Sequence, residues 1–344
     1  MALPVEPPVR PMLAKLQTSL PDAEGWLYEP KWDGFRAIVF RDGNSVRMVS
    51  RDQRDLNRYF PELEPVMRAA LPDRCVVDGE IFVVEDGHLD FDALGQRIHP
   101  AESRVRMLAG KSPAGFIAFD LLALDDADLR TRPASDRRIA LEHLLPAARE
   151  PADADGVPTP LEAVLTPQTQ EASRTTLWLG GIAESGIEGV IAKRADQPYL
   201  EGDRAMIKVK IRRTVDCVVG GYRLSKAGDG VGSLLLGLYS GGALHYVGHT
   251  SSFKAAERRE LLERLRPLEG EGAFGRGRSP GGPSRWNRGA AEAPWVGLRP
   301  ELVCEVSYDR FEHERIRHAA TFLRWRPERR PEDCTVEQTA PGRG

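Results

Sequence analysis

Glu29-Pro30-Lys31-Trp32-Asp33-Gly34-Phe35-Arg36 sets a lysine among two acidic residues, a glycine and an arginine, ahead of the β-like run 35–40. This pattern places the lysine where a strand begins, beside an apolar core. Burial there disfavours an ammonium ion, and neighbouring cations lower its pKa further. An uncharged lysine amine is a nucleophile towards a carbonyl or an activated phosphate. Taken alone, the octapeptide fits a solvated lysine at a strand edge better, the ordinary fate of lysine. The remainder of the chain reverses that weighting.

The chain has 344 residues, 41% of them apolar, enough to bury a sizeable core and to divide into two domains. Its formal net charge is only −3, but residues 1–210 carry 26 basic against 34 acidic residues and residues 211–344 carry 22 against 17. The change of sign sets a boundary near residue 211 and points to a polyanionic partner for the second, arginine-rich part. Cys75, Cys217, Cys304 and Cys334 are far apart, without CxxC or zinc spacing, as expected of a reduced cytosolic protein. The proline-rich N-terminus lacks a signal-peptide core, and no apolar run approaches the ~18 residues of a membrane span.

Residues 1–25 read as an extended leader in which Pro4, Pro7, Pro8 and Pro11 suppress regular structure. Strands at 35–40 and 45–49 follow, joined by the turn Arg41-Asp42-Gly43-Asn44, and a helix is expected over 61–70. The run 75–84 is apolar on both sides of Asp78-Gly79-Glu80. Carboxylates inside so apolar a strand are costly unless ligated or hydrogen-bonded, which singles out Glu80. A strand at 115–122 carries Phe119-Asp120. Ser135 is read as the cap of a helix reaching Leu145, 146–160 as a surface loop, and 169–185 as a helix ended by Gly186. Glu188 and Lys193 mark the ends of an apolar strand over 187–193, and alternation within 206–210 puts Lys208 and Lys210 on one face. Beyond Arg213, short strands at 216–222, 233–239, 243–247 and 302–307, with a helix over 253–266, suggest a five-stranded barrel of the oligonucleotide-binding type.

Lys31, Glu80, Glu188, Lys193, Lys208 and Lys210 each interrupt an apolar run of one domain, which convergence on a single site explains most economically. Glu80 and Glu188 offer the hard oxygen ligands that Mg2+ prefers. Lys208 and Lys210 are point charges suited to phosphate and would depress the pKa of Lys31. No phosphate loop of the GxxxxGKS or GxxxxGKT form occurs, and Gly228-Asp229-Gly230-Val231-Gly232 reads as a hairpin tip, not a dinucleotide fingerprint. His245 and His249 read as structural or exposed, and Trp286 and Trp295 as core anchors in preference to DNA-stacking platforms. Between 310 and 330, seven arginines against three glutamates are interleaved with Phe322, Leu323 and Trp325, a pattern suited to phosphate recognition at least as well as to solubility.

In order, Lys31-Trp32-Asp33-Gly34-Phe35-Arg36, Ser50-Arg51, Asp78-Gly79-Glu80, Phe119-Asp120, Glu188-Gly189-Val190 and Lys208-Val209-Lys210 resemble six motifs of the covalent nucleotidyltransferases, most closely the ATP-dependent DNA ligases, over roughly residues 8–335. The resemblance implies an α+β chain. A nucleotidyltransferase (ATP-grasp-like ligase) domain of antiparallel sheets with helices would occupy 1–210, and an OB-fold β-barrel with an arginine-rich C-terminal motif 211–344. It implies that Lys31 becomes linked to AMP, that Glu29 recognises the adenine amino group and that Phe119 stacks on adenine. Arg36 would contact the ribose or phosphate side, and Arg51 the 5′-phosphate of a nick. Glu80 would hold the ribose and, with Glu188, a Mg2+ ion, with Mn2+ as the alternative; Lys208 and Lys210 would contact the AMP phosphate. Arg326-Pro327-Glu328-Arg329 is similar to the final family motif, RxDK, which orients the ATP pyrophosphate in the first step. Glu and Arg replace the usual Asp and Lys there, and Met206 stands where an aromatic residue often precedes the motif lysines.

Pro11-Met12-Leu13-Ala14-Lys15 and the tail 317–326 resemble the small bacterial ligases of end joining and gap repair, the ligase C type. The chain accordingly reads as a minimal two-domain ligase, monomeric and cytoplasmic, with no membrane partner. Its partner would be nicked or broken double-stranded DNA, gripped weakly and salt-sensitively, with help from a DNA-end-binding clamp or a gap-filling polymerase. Three phosphoryl transfers are expected, with the barrel rotating between them about a hinge near 211–214. An RNA ligase or mRNA-capping guanylyltransferase shares the lysine chemistry, and a non-catalytic DNA-end-binding module is the alternative of another class.

Overall fold

The computed structural model describes residues 2–148, 158–181, 187–210, 213–271, 273–274, 280, 294–309, 311–312, 314–317 and 319–339. The chain divides into two compact units, Met1–Ile211 and Arg212–Gly344. In chain order the first holds β1 (Ala14–Gln17), β2 (Trp26–Lys31), β3 (Phe35–Asp42), β4 (Ser45–Ser50), α1 (Leu63–Ala70), β5 (Arg74–Glu85), β6 (His88–Leu89), α2 (Phe91–Gln96) and α3 (Glu102–Lys111). It continues with β7 (Ala114–Leu124), β8 (Ala127–Asp128), α4 (Ala134–Glu142), β9 (Ala163–Leu165), α5 (Ala172–Gly181), β10 (Gly189–Arg194) and β11 (Met206–Lys210). One sheet has the order β1-β11-β10-β2; the other has β4-β3-β5-β7-β8, with β6 on β5 and β9 on β7. Neighbours are antiparallel except β1 with β11 and β7 with β9.

β3 and β5 are apolar at odd and even positions alike, so both of their faces must be covered. Ala37, Val39, Cys75, Val77, Ile81 and Val83 enter one core, where Leu63 and Met67 of α1 and Leu141 of α4 join them. Ile38, Phe40, Val76 and Phe82 enter cores of the opposite face, where Phe82 packs with Tyr28, Trp32, Val190 and Ala192 from the other sheet and its edge. Arg36, Asp78 and Glu80 share the parity of this second set and so face the space between the sheets. Gly34 permits the approach that starts β3: a Cβ there would lie 2.3 Å from the Ile81 carbonyl oxygen.

Several local expectations need correcting. Lys31 ends a strand instead of beginning one; it pairs with Gly189 across β2–β10, and β3 starts only at Phe35. The leader is not wholly irregular, because β1 gains ladder partners on β11, with Ala14 opposite Met206. Ser135 lies inside α4, whose N-cap is Pro133 without a side-chain cap. The helix is instead fastened by Arg137, whose Nε and Nη2 donate to Asp120 at 2.7 and 3.0 Å. Helices α2 and α3, short and weakly patterned, escaped the sequence reading. The Gly186 helix end lies outside the described residues, as do Trp286, Arg310 and part of the expected hinge.

The second unit contains β12 (Arg213–Leu224), β13 (Val231–Ser240), β14 (Ala243–Thr250), α6 (Ala255–Leu265), β15 (Val296–Gly297), β16 (Val303–Tyr308), β17 (Phe311–Glu312), β18 (Arg315–Ile316) and β19 (Thr321–Trp325). Five strands run β14-β13-β12-β16-β19. A parallel bridge from Thr250 of β14 to Ala320, the residue before β19, closes the sheet into a barrel. Val215, Cys217, Leu234, Leu236, Val247 and Val306 are in its core, to which α6 adds Leu261, Leu262 and Leu265. The fifth strand is β19, inside the arginine-rich tail, where the sequence reading had placed only a charged run. All four cysteines are free and buried. Among the described residues no helix is long and apolar enough to cross a membrane.

Candidate active site

Gly189 is paired with Lys31 on one side and with Lys210 on the other. Glu188, one residue earlier, therefore reaches both lysines: its Oε2 accepts a hydrogen bond from Lys31 Nζ and lies 3.3 Å from Lys210 Nζ. Only glycine fits between them, since a Cβ on Gly189 would lie 2.0 Å from the Val209 carbonyl oxygen. Burial alone would raise the Glu188 carboxyl, but Lys31 and then Lys210 outweigh it and hold it at about 2. Lys208 shares a face of β11 with Lys210; burial lowers its pKa, and Lys31 and Lys210 add to the effect. Lys31 thus has a carboxylate partner as well as the cationic neighbours expected from the sequence.

The space between the sheets holds a second cluster. Arg36 donates from Nε and Nη2 to the two oxygens of Asp78 at 2.9 and 2.6 Å, and the Tyr199 hydroxyl donates to Asp78 Oδ2 at 2.5 Å. The Arg36 guanidinium lies 4.9 Å from the centre of the Phe119 ring. Burial pushes the Glu80 carboxyl up to about 8; Lys31 and Arg36 offset part of this, while Asp33 and Asp78 reinforce it. The two carboxylates expected to share a metal are thus driven in opposite directions, Glu80 by burial and Glu188 by its two lysines.

Glu29 and Phe119 are tied together by Lys193. Its Nζ lies 2.8 Å from Glu29 Oε2 and donates to the Phe119 carbonyl at 2.9 Å, 5.1 Å from the ring centre. Gln168 Nε2 donates to the other Glu29 oxygen at 2.7 Å. Glu29 and Lys193 are both buried, so each charge needs the other. Sequence reasoning had singled out Lys193 without a role and had missed Gln168, Tyr199 and Asp78.

Other predicted residues have partners of their own. Arg51 follows β4 on the surface, 3.7 Å from Asp52. Arg326 and Arg329 belong to the second unit. There Arg326 Nη1 lies 3.0 Å from Asp216 Oδ1 and 3.4 Å from Glu305 Oε2, and Arg329 Nε lies 3.5 Å from Asp216 Oδ2. Among the described residues no group of three or more His, Cys, Asp or Glu side chains is placed to hold a metal. A protein-only cage is not what Mg2+ requires: one or two carboxylates, completed by substrate phosphate and water, suffice. Glu80 and Glu188 are carboxylates of the kind such an ion takes.

Two facing sheets that gather a lysine, carboxylates and further lysines, followed by an OB barrel, define an adenylating nucleotidyltransferase. The chain belongs to the ATP-dependent DNA ligase family: the ATP dependent DNA ligase domain matches residues 11–210, and the ATP dependent DNA ligase C terminal region matches 227–329. It is similar to DNA ligase C1 of Mycolicibacterium smegmatis, 50% identical over 349 residues that cover 98% of this chain and 95% of that protein. It is also similar to the multifunctional non-homologous end joining DNA repair protein LigD of Mycobacterium tuberculosis, 31% identical over 92% of this chain and 38% of that protein. A solved Lig E DNA ligase shares the fold, with a TM-score of 0.55 and 18% identity over 92% of this chain and 99% of that one. The RNA ligase, capping-enzyme and end-binding alternatives give way to a DNA ligase that uses ATP.

Proposed function

We propose that the chain seals breaks in duplex DNA through an AMP–lysine bond at Lys31. The observation that supports this most is the meeting of Lys31, Glu188 and Lys210 about Gly189, with Lys208 on the same strand face. In the first step the Lys31 amine attacks the α-phosphorus of ATP. The N–P bond forms, the bond to the bridging oxygen breaks, pyrophosphate leaves, and the nitrogen gives up a proton to solvent. Phosphate oxygens then take the place of Glu188 as partners of Lys31 and Lys210, which frees that carboxylate. Glu80 and Glu188 would hold Mg2+, which when bound supplies charge neutralisation to the phosphates. Lys208 and Lys210 stabilise charge on the transferred phosphoryl group.

Phe119 stacks on the adenine, and Glu29, held by Lys193 and Gln168, recognises its amino group. Arg36, fixed by Asp78, faces the ribose and phosphate, and Glu80 also holds the ribose. Arg326 and Arg329 orient the departing pyrophosphate. AMP next passes to the 5′-phosphate at the break, which Arg51 contacts, and the 3′-hydroxyl displaces AMP to close the strand. The likeness to LigD, a non-homologous end joining DNA repair protein, supports a role in end joining, with an end-binding clamp or a gap-filling polymerase as the proposed partner.

Intact-mass spectrometry after exposure to ATP and Mg2+ should show one added AMP on the wild type and none on Lys31→Ala, with nick sealing lost in parallel. A Lys31→Ala protein that still acquires AMP would sink the assignment.

A further inference from the structure

Two carboxylates stand opposite one another in the barrel wall. Asp216 of β12 is in register with Glu305 of β16, and Asp216 is only 8% exposed. Like charges at directly opposed positions repel, and burial deepens the cost. The sheet tolerates the pair because arginines are set upon it. Arg326 Nη1 sits between the two acids, 3.0 Å from Asp216 and 3.4 Å from Glu305. Arg329 Nε, which makes no hydrogen bond, lies 3.5 Å from the second Asp216 oxygen. Glu305 is engaged in addition by Arg324 Nε at 2.6 Å. One carboxylate therefore spans both arginines of the tail motif, across a turn in which the Arg329 amide donates to the Arg326 carbonyl at 3.1 Å. Asp216, Glu305 and the two arginines line a polar cleft of about 440 Å³.

We infer that Asp216 is a positioning residue for ATP activation, presenting Arg326 and Arg329 as one phosphate-binding pair. Arg326 is pinned through Nη1 and, by Glu328 Oε1 at 2.5 Å, through Nε, which leaves Nη2 for a phosphate oxygen; Arg329 is approached at Nε, and both lose rotamer freedom before the ligand arrives. Asp216 itself touches no reactant. The inference rests on the proposed role of the two arginines in the first step.

Asp216→Asn keeps the size of the side chain and removes its charge. It relieves the opposition to Glu305, so folding should be held or improved. Two rates separate the possibilities: formation of enzyme–AMP from ATP in a single turnover, and sealing of a pre-adenylylated nick by AMP-free protein. The first should fall by about tenfold to a hundredfold, the scale set by misplacing a group that orients the reacting phosphate. The second should fall at least tenfold less. Added to the double variant Arg326→Ala/Arg329→Ala, Asp216→Asn should slow the first step no further. Parallel loss of both rates, whatever the Tm, would overturn the inference, as would independent, multiplying effects. An unimpaired first step in Asp216→Asn beside an impaired Arg326→Ala would remove the inference alone; an unimpaired Arg326→Ala would remove the reading of the arginines and the inference together.

Discussion

Replacing Glu80 by glutamine keeps the shape of the side chain and fixes it in the uncharged form. Burial moves this carboxyl from 4.5 to about 8, with Lys31 and Arg36 recovering only part of the cost. Between those values the folded chain holds a proton that the unfolded chain has released. Stability therefore falls as pH rises through the window, and the loss is absent below it. At ~1.36 kcal/mol per pH unit the whole shift would amount to roughly 5 kcal/mol. Relaxation of the site and water entry bring the expected effect down to about 1–3 kcal/mol. Urea titrations followed by circular dichroism should give wild type and Glu80→Gln nearly equal midpoints at about pH 4, and a more stable variant at about pH 8.5. The same variant should seal nicks at least ~100-fold more slowly, because it lacks the charge proposed to meet ribose and metal. Midpoints that track one another across the whole range would refute burial as the dominant influence on Glu80.

Two further substitutions test the frame of the site. Gly34→Ala sets a methyl group against the Ile81 backbone and should cost about 1–3 kcal/mol in urea unfolding, so an unchanged midpoint would contradict the packing described. Lys193→Ala leaves the buried Glu29 carboxylate with Gln168 and with Arg138, whose Nη1 lies 3.9 Å away; it should destabilise by about 2–4 kcal/mol. The same variant should raise the KM for ATP, and an unaltered KM would separate Glu29 from nucleotide recognition.

The site was legible in the sequence wherever a charged residue broke an apolar run. Glu80, Glu188, Lys208 and Lys210 were found that way, and the same criterion, applied evenly, would also have raised Asp78 and Asp216. The hairpin between β3 and β4 was legible because Gly43 takes a positive φ of 58° in the turn. Tyr199 and Gln168 were not, since they lie in loops without periodicity and meet partners 121 and 139 residues away. Strand β19 was hidden because arginine interrupts its apolar alternation. Helices α2 and α3 were hidden because six and ten residues of mixed polarity give no clear apolar stripe.

The strand that leads into the arginine motif is also the seam of the barrel. The Ala320 amide donates to the His249 carbonyl at 2.9 Å, the Phe322 amide to Thr250 Oγ1 at 3.1 Å, and β19 pairs along its other side with β16. Clipping the protein before Thr321 would bare two rows of backbone donors and acceptors at once, and bare strand margins invite self-association. Shortened proteins would precipitate before they reported on catalysis, so the tail has to be dissected one side chain at a time.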